Sequence, residues 1–276
     1  MTILDHKIDF AVIFSVRNAN PNGDPLNGNR PRQNYEGYGE VSDVCLKRKM
    51  RNRLQDAGEP IFVQSDERKN DAFKSLKERA DAEEDLKKAM KDKNSDLFAE
   101  LACKKWLDVR SFGQVFAFKG DVLSVGVRGP VSVHPAVSLS PIDISSIQIT
   151  KSVNSTTSDR KGSDTMGMKH RVDFGNYVFY GSINTQLAEK TGFTHEDAEK
   201  FKQALITLFE NDASSARPDG SMEVQKVYWW EHNSKLGQYS SAKVHRSLKV
   251  EEDNEKNVKI TLEELNGLAV QVYDGQ

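Results

Sequence analysis

The chain has 276 residues with 39 basic and 41 acidic side chains, for a formal net charge of -2. That length accommodates one elaborated domain or two small ones, and the near-neutral balance excludes a protein that coats nucleic acid through bulk positive charge. The charge is unevenly spread: Glu251 to Gln276 carries -5, leaving +3 on the rest, so binding a polyanion requires local basic strips.

Two cysteines, Cys45 and Cys103, fall in predicted helices without ligand spacing and read as reduced, structural residues. No apolar run approaches about 18 residues. The first residues lack a signal-peptide pattern, so a cytoplasmic protein with no membrane partner is expected.

In chain order, Lys7 to Arg17 alternates in part and then turns solidly apolar at Phe10-Ala11-Val12-Ile13-Phe14, the pattern of a strand buried on both faces. Asn18 to Arg32 follows as N-A-N-P-N-G-D-P-L-N-G-N-R-P-R. Asn20-Pro21, Asn22-Gly23, Asp24-Pro25 and Asn27-Gly28 each favour a turn, which excludes strand and helix there and predicts a rigid loop. Amides pointing outward from such a loop can bind phosphate, and Arg30 and Arg32 flank Pro31. Ser42 then caps a helix carrying Lys47, Arg48, Lys49, Arg51 and Arg53, with no acidic residue between Asp43 and Asp56. Leu46, Met50, Leu54 and Ala57 form its packing stripe, and Lys47, Arg48 and Arg51 project from roughly the opposite face.

Pro60 to Gln64 is a short strand candidate. Asp66 to Lys105 holds eleven basic and eleven acidic residues around sparse apolar positions at helical spacing, which predicts two or three small helices in an insertion with a solvated face. Val122 to Val133 reads as a strand interrupted at Gly126 and Gly129-Pro130, with Arg128 between them. No period persists from His134 to Arg171, which reads as a long excursion ending near Met166, Met168, Lys169 and Arg171. Val172 to Asn184 is a third strand with a bulge expected at Gly175-Asn176. Thr194 caps a helix to Asn211, Asp219-Gly220 turns into a strand over Met222 to Trp230, and strand-like pieces at Val244–Val250 and 257–260 precede a helix begun by Thr261-x-x-Glu264. Stripped of insertions the order is β-α-β-β-α-β, an α+β chain of ferredoxin-like or RRM type.

Phe174 to Tyr180 (F-G-N-Y-V-F-Y) has the look of a spaced-out RNP1 on that third strand, although aromatic strand residues are more often core. An RNA-binding monomer using Tyr177 and Phe179 is the corresponding alternative. Catalytic patterns are absent: the six histidines show no metal spacing, and there is no GK[ST], G-x-S-x-G or Cys-His grouping. No cofactor, metal or catalytic residue is therefore assigned.

N-P-N-G-D-P-x-x-G-N-x-P-R after a first strand, followed by V-S-D-V-x-L-K-R-K, resembles the signature of the CRISPR Cascade backbone subunit of subtype I-C, within the RAMP superfamily. The likeness continues through Asp108–Gly113, Gly129–Val131, Gly181–Asn184 and Tyr228–Trp230. It implies a modified RRM-like palm with a helical finger at about 60–110 and a projecting, thumb-like hairpin at about 135–171. It further implies a non-catalytic protein that oligomerises head to tail with copies of itself along the CRISPR guide RNA, beside other Cascade subunits, and presents the guide to a target DNA strand. The RNA contacts it implies, joined to the loop and helix reading, are Asn20, Asn22, Asn27, Arg30, Arg32, Lys47, Arg48, Arg51, Arg128, Arg160, Lys161, Met166, Met168, Lys169 and Arg171, with the two methionines as an apolar wedge. Related type III subunits cut target RNA with a loop aspartate, so a metal-dependent ribonuclease using Asp24 is the second reading; an Asx-turn at Asp24-Pro25 is the structural one.

Overall fold

A computed structural model describes residues 2–118, 120, 123–150 and 166–276. The first strand, β1 (Ile8–Ala19), is the centre of the molecule because both of its faces are apolar. Phe10, Val12, Phe14 and Val16 point to one side, into a core shared with Leu46 and Met50 of α1 (Asp43–Asp56) and Phe201 and Leu205 of α7 (His195–Ile206). Ala11 and Ile13 point to the other side and form a second core. The period of two in a strand makes one sequence run serve two layers.

Between β1 and α1 lie β2 (Gly23–Asp24), β3 (Arg30–Pro31) and β4 (Tyr38–Val41). After α1 come α2 (Leu76–Asp81), α3 (Glu84–Lys91), α4 (Ser95–Lys105), α5 (Leu107–Phe112), β5 (Gly113–Phe116) and β6 (Val125–Arg128). These form an insertion with its own core, where the Phe62 ring lies 4.6 Å from Trp106 and 5.0 Å from Phe116, centroid to centroid. Among the described residues the insertion holds four helices and a hairpin and runs on to Arg128. Sparse apolar residues suffice because the charged faces stay in water while Phe62, Phe98, Trp106 and Phe116 supply the buried area.

The main sheet resumes with β7 (Val131–Val133), β8 (Ala136–Pro141), β9 (Ile144–Thr150) and the 18-residue β10 (Met166–Ile183). After α6 (Thr185–Thr191) and α7, β11 (Met222–Glu231) returns beside β1; α8 (Ser241–Ser247), β12 (Leu248–Glu252), β13 (Val258–Leu262) and β14 (Val270–Asp274) complete the chain. The sheet order is β14-β11-β1-β10-β8-β4, antiparallel at every pairing, with β7 and β9 also on β10. The fold is thus mixed α and β around a central antiparallel sheet. The α8 helix and the β12–β13 hairpin cover the second face of β1, packing Val244 and Leu248 on Ala11, Ile13 and Trp230.

Several sequence expectations need correction. The 122–133 run is interrupted at Gly129-Pro130 as expected, where Gly129 passes so close to α5 that a Cβ would sit 2.3 Å from the Ser111 carbonyl oxygen, but not at Gly126, which lies within β6. No bulge occurs at Gly175-Asn176, whose register against β1 is continuous; the irregularity falls at Ile13/Phe14 against β11. The 134–171 stretch holds β8, β9 and the start of β10. Val244 lies in a helix capped by Ser240, and Thr261 lies in β13 opposite Lys249. A capping-box pattern there is overridden by strand pairing that seats Val258 and Ile260 against the second core.

Candidate nucleic-acid interface

The Asn18–Arg32 segment is ordered, as the turn residues predict, but against the expected exclusion of strand and helix it forms a small hairpin. Gly23 pairs with Pro31 and Asp24 with Arg30, around one turn of 3-10 helix at Pro25–Asn27. Positive φ at Asn18 (52°), Gly28 (58°) and Asn29 (60°) shapes it, a conformation that Asn and Gly adopt at least cost. Gly23 must lack a side chain: a Cβ would fall 1.9 Å from Asn29 Oδ1.

The asparagines expected to touch RNA hold the hairpin together. Asn20 is buried and donates from Nδ2 to the Asn29 carbonyl at 2.7 Å. Asn22 Oδ1 accepts from both the Ser42 amide and hydroxyl at 2.9 Å, which ties the hairpin to the N-cap of α1. Asp24 Oδ1 accepts from the Leu26 amide at 3.2 Å, an Asx-turn, and lies 3.6 Å from an Arg32 nitrogen. Asn27 is exposed at the tip beside Leu26, which is 97% exposed.

The last pairing of β1 with β10 is Ala19 with Val172, so residues 166–171 of β10 run past the end of β1 and pair with β9 alone among the described residues. The loop leaves β1 at this point and leans on that extension. Arg30 Nη1 donates to Ser146 Oγ at 2.9 Å, and the same hydroxyl lies 2.8 Å from His170 Nδ1. A groove of about 370 Å³ results, lined by Asn20, Gly28, Asn29, Ile149, Met168, Lys169, His170, Ser215 and Ala216. Lys169 lines it and Arg30 reaches its wall through Ser146; Arg32 and Arg171, likewise partly exposed, follow Pro31 and His170 in the chain, and among the described residues the acid nearest Arg171 is Asp173 at 3.9 Å. Met168 is 55% exposed, with Ile147 and Ile149 exposed on the neighbouring strand. Cations beside accessible apolar side chains on a projecting hairpin can hold phosphates and lie against bases.

The α1 cations differ. Arg51 Nε donates to the buried Asp108 at 3.0 Å, and its guanidinium lies over Phe112. Arg48 is part-buried and donates to the Val63 carbonyl at 2.6 Å. Lys49 is buried against Asp212, and Arg53 meets Asp56 and Glu210 at 3.0 and 3.1 Å. Lys47 pairs with Asp43 at 2.9 Å one turn back. Arg48 and Arg51, expected at the RNA, are therefore engaged inside the fold, where they fasten the insertion to α1. The partners Asp108, Glu210 and Asp212 are distant in sequence, so a count of acids within the helix could not find them.

Arg128 is exposed, but sits at the end of β6 in the insertion's separate sheet. Arg160, Lys161 and the side chain of Met166 lie outside the described residues. Tyr177 and Phe179 are fully buried, Tyr177 stacked at 5.2 Å on Phe14, which rules out their use as a stacking platform in this fold. Sequence reasoning missed Ser146, His170, Ile147 and Ile149, which enter through β9–β10 pairing; no motif marks them. It also missed the one group of three metal-capable side chains among the described residues, Asp5, His6 and His195. No described helix is long and apolar enough to cross a membrane.

The family model described as CRISPR-associated protein Cas7 matches residues 6–268. A protein of Haloferax volcanii named CRISPR-associated protein Cas7 is 28% identical over 235 residues, covering 78% of this chain and 67% of its own length. A solved chain described as "CRISPR RNA-guided surveillance complex, pre-nicking" superposes with a TM-score of 0.50 at 16% identity, over 81% of this chain and 78% of that one, a likeness of fold. With a family model spanning nearly its whole length, the chain belongs to the CRISPR-associated Cas7 family.

Proposed function

We propose that this protein is a non-catalytic backbone subunit of a type I-C Cascade complex, polymerising head to tail along the spacer region of a CRISPR guide RNA in the cytoplasm. The observation that carries this reading is the convergence of the Asn18–Arg32 hairpin and the β9–β10 extension, joined through Arg30, Ser146 and His170, around a groove lined in part by Lys169. Family membership and the Cascade-like signature support the same conclusion. The strand order β11-β1-β10-β8, with α1 and α7 packed on one face, supports an RRM-like βαββαβ palm. The insertion then corresponds to the finger and the β9–β10 hairpin to the thumb.

In this reading Arg30, Arg32, Lys169 and Arg171 contact guide phosphates, and Met168 meets bases; Met166, Arg160 and Lys161 are assigned to bases and backbone by the family resemblance alone. Asn20 and Asn22 shape the loop, with Asn27 at its tip. Lys47 and Arg128 are secondary contacts. The protein reads backbone and shape, and sequence is left to pairing between the guide and the target DNA strand. Other Cascade subunits are its further partners. Asp24, held by the Leu26 amide and near Arg32, belongs to the turn.

The test is the mass of the protein bound to RNAs of increasing length, with wild type and the Arg30/Arg32/Lys169/Arg171→Ala variant. Mass growing with length for wild type, and weak, salt-insensitive binding for the variant, is expected. A fixed one-to-one complex, or unchanged affinity in the variant, rejects the reading.

A further inference from the structure

At the end of β1 remote from the groove, three side chains with no role in RNA binding converge. Asp5 Oδ1 lies 3.0 Å from His6 Nδ1 and 3.1 Å from His195 Nε2. All the ligand atoms of the group lie within 4.8 Å of one another, and the two imidazole rings are 5.0 Å apart, centroid to centroid. Donor atoms sharing a four-coordinate zinc ion at about 2.0–2.1 Å lie roughly 3.3 Å apart, so only small side-chain movements separate this cluster from a ligand set.

The support beneath the cluster is fixed. The segment before β1 is bound to the start of α7 by the Leu4 amide on the Phe193 carbonyl (3.0 Å), the His195 amide on the Thr2 carbonyl (3.2 Å) and a bridge between Ile3 and Thr194. Leu4 is fully buried between them. The first turn of α7 is locked by the reciprocal Thr194–Asp197 capping box, and Arg110 clamps Asp197 with two hydrogen bonds at 2.8 and 2.9 Å. A carboxylate also stands behind one imidazole: Glu231 Oε2 is 3.8 Å from His6 Nε2, while its other oxygen accepts from Trp229 Nε1 at 2.8 Å. With Nδ1 on a metal, the Nε2–H of His6 faces this carboxylate, the arrangement by which proteins fix the tautomer of a ligating histidine. Lys235, the cation nearby, is engaged by Glu189.

We propose that Asp5, His6 and His195 form a site for a zinc-class divalent cation that staples the N-terminal segment to the start of α7. Two imidazoles and one carboxylate favour zinc, cobalt or nickel over magnesium and calcium, which take oxygen ligands. Three protein ligands leave a fourth position for water. The two cysteines offer little competition: Cys103 is buried with its thiol pushed up to about 11, and burial also raises that of Cys45.

The test uses the full-length protein titrated with zinc chloride, and with cobalt chloride as a spectroscopic probe, in excess magnesium. Expected are one ion per chain, visible cobalt bands of four- or five-coordinate intensity, and a thermal midpoint that rises with zinc. Asp5→Asn at an exposed position and His195→Gln at a partly exposed one should each weaken binding at least about tenfold and abolish the midpoint shift, and Glu231→Gln should weaken it about tenfold. His134→Gln is the control and should change nothing. Guide-RNA affinity stays at the wild-type value throughout. Zinc binding that persists at full strength in both His195→Gln and Asp5→Asn, or an absence of stoichiometric binding in excess magnesium, overturns the proposal.

Discussion

The α1 helix and the loop–hairpin groove look alike in sequence, since each offers a run of cations with few acids beside them, yet the fold uses them oppositely. On α1 the cations reach carboxylates brought from residues 108, 210 and 212, and Arg48 reaches a backbone carbonyl. Around the groove Arg30 meets a neutral hydroxyl, and Arg171 is 3.9 Å from an acid. A cation with a buried partner fastens elements together, whereas one left in a partly exposed groove is available to a polyanion. A local charge count cannot separate these cases; the tertiary position of the acids does.

The strongest way to break the contrast is to remove a partner on the α1 side. Asp108 accepts from Arg51, from the Phe62 amide at 2.7 Å and from the Val63 amide at 3.0 Å. Asp108→Ala leaves the part-buried Arg51 guanidinium and two amides without this buried partner and should cost about 3 kcal/mol in chemical denaturation. Retention of wild-type stability contradicts the fastening role. On the groove side, Arg30/Arg32/Lys169/Arg171→Ala should lower RNA affinity on the order of 100-fold and flatten the salt dependence by roughly 0.7 for each phosphate no longer neutralised, with little change in thermal midpoint. Arg48→Met should do the reverse: lower the midpoint and leave the salt slope alone. If Arg48→Met instead flattens that slope, the two regions are not distinct.

Acid sharpens the comparison through another buried network, under α8. There Asp9 lies 3.0 Å from Lys7 and 2.8 Å from His232, and His245 is 3.6 Å away. Burial alone would raise the Asp9 carboxyl, but hydrogen bonds from His232 and Ser241 and the Lys7 charge hold it below the ordinary range. Burial, aided by His134 and Lys7 and opposed by Asp9, holds the His245 imidazole below its ordinary 6.5. Both folded-state values lie below the unfolded ones, so both groups contribute stability that is lost as pH falls. The loss should begin near pH 6.5 from His245 and continue below about pH 4 from Asp9. Thermal midpoints across pH should show two steps, and His245→Gln should remove the upper one.

Smaller effects test the loop itself. Gly23→Ala displaces the Asn29 side chain and should weaken RNA binding a few-fold while costing less than about 1 kcal/mol of fold stability. Asp24→Ala removes the cap of the 3-10 turn and should cost about 0.5–1 kcal/mol. Incubation with complementary RNA and magnesium should give no cleavage for wild type or variant. Cleavage by wild type that vanishes in Asp24→Ala would establish the ribonuclease reading instead.

By itself the sequence determined what local chemistry controls. The doubly apolar run in β1, the Ser42 and Thr194 caps and the turn residues of the Asn18–Arg32 segment were all legible, because propensity, capping and periodicity act over a few residues. Only the tertiary structure decided which cations are free and which histidines meet. Arg51 finds Asp108, Arg30 finds Ser146 and His6 finds His195 through sheet register and helix packing, at separations of 57, 116 and 189 residues. Pairing with β12 likewise drew Thr261 into a strand against its capping-box pattern. A local preference worth about 1 kcal/mol yields when strand pairing and core burial gain several times that.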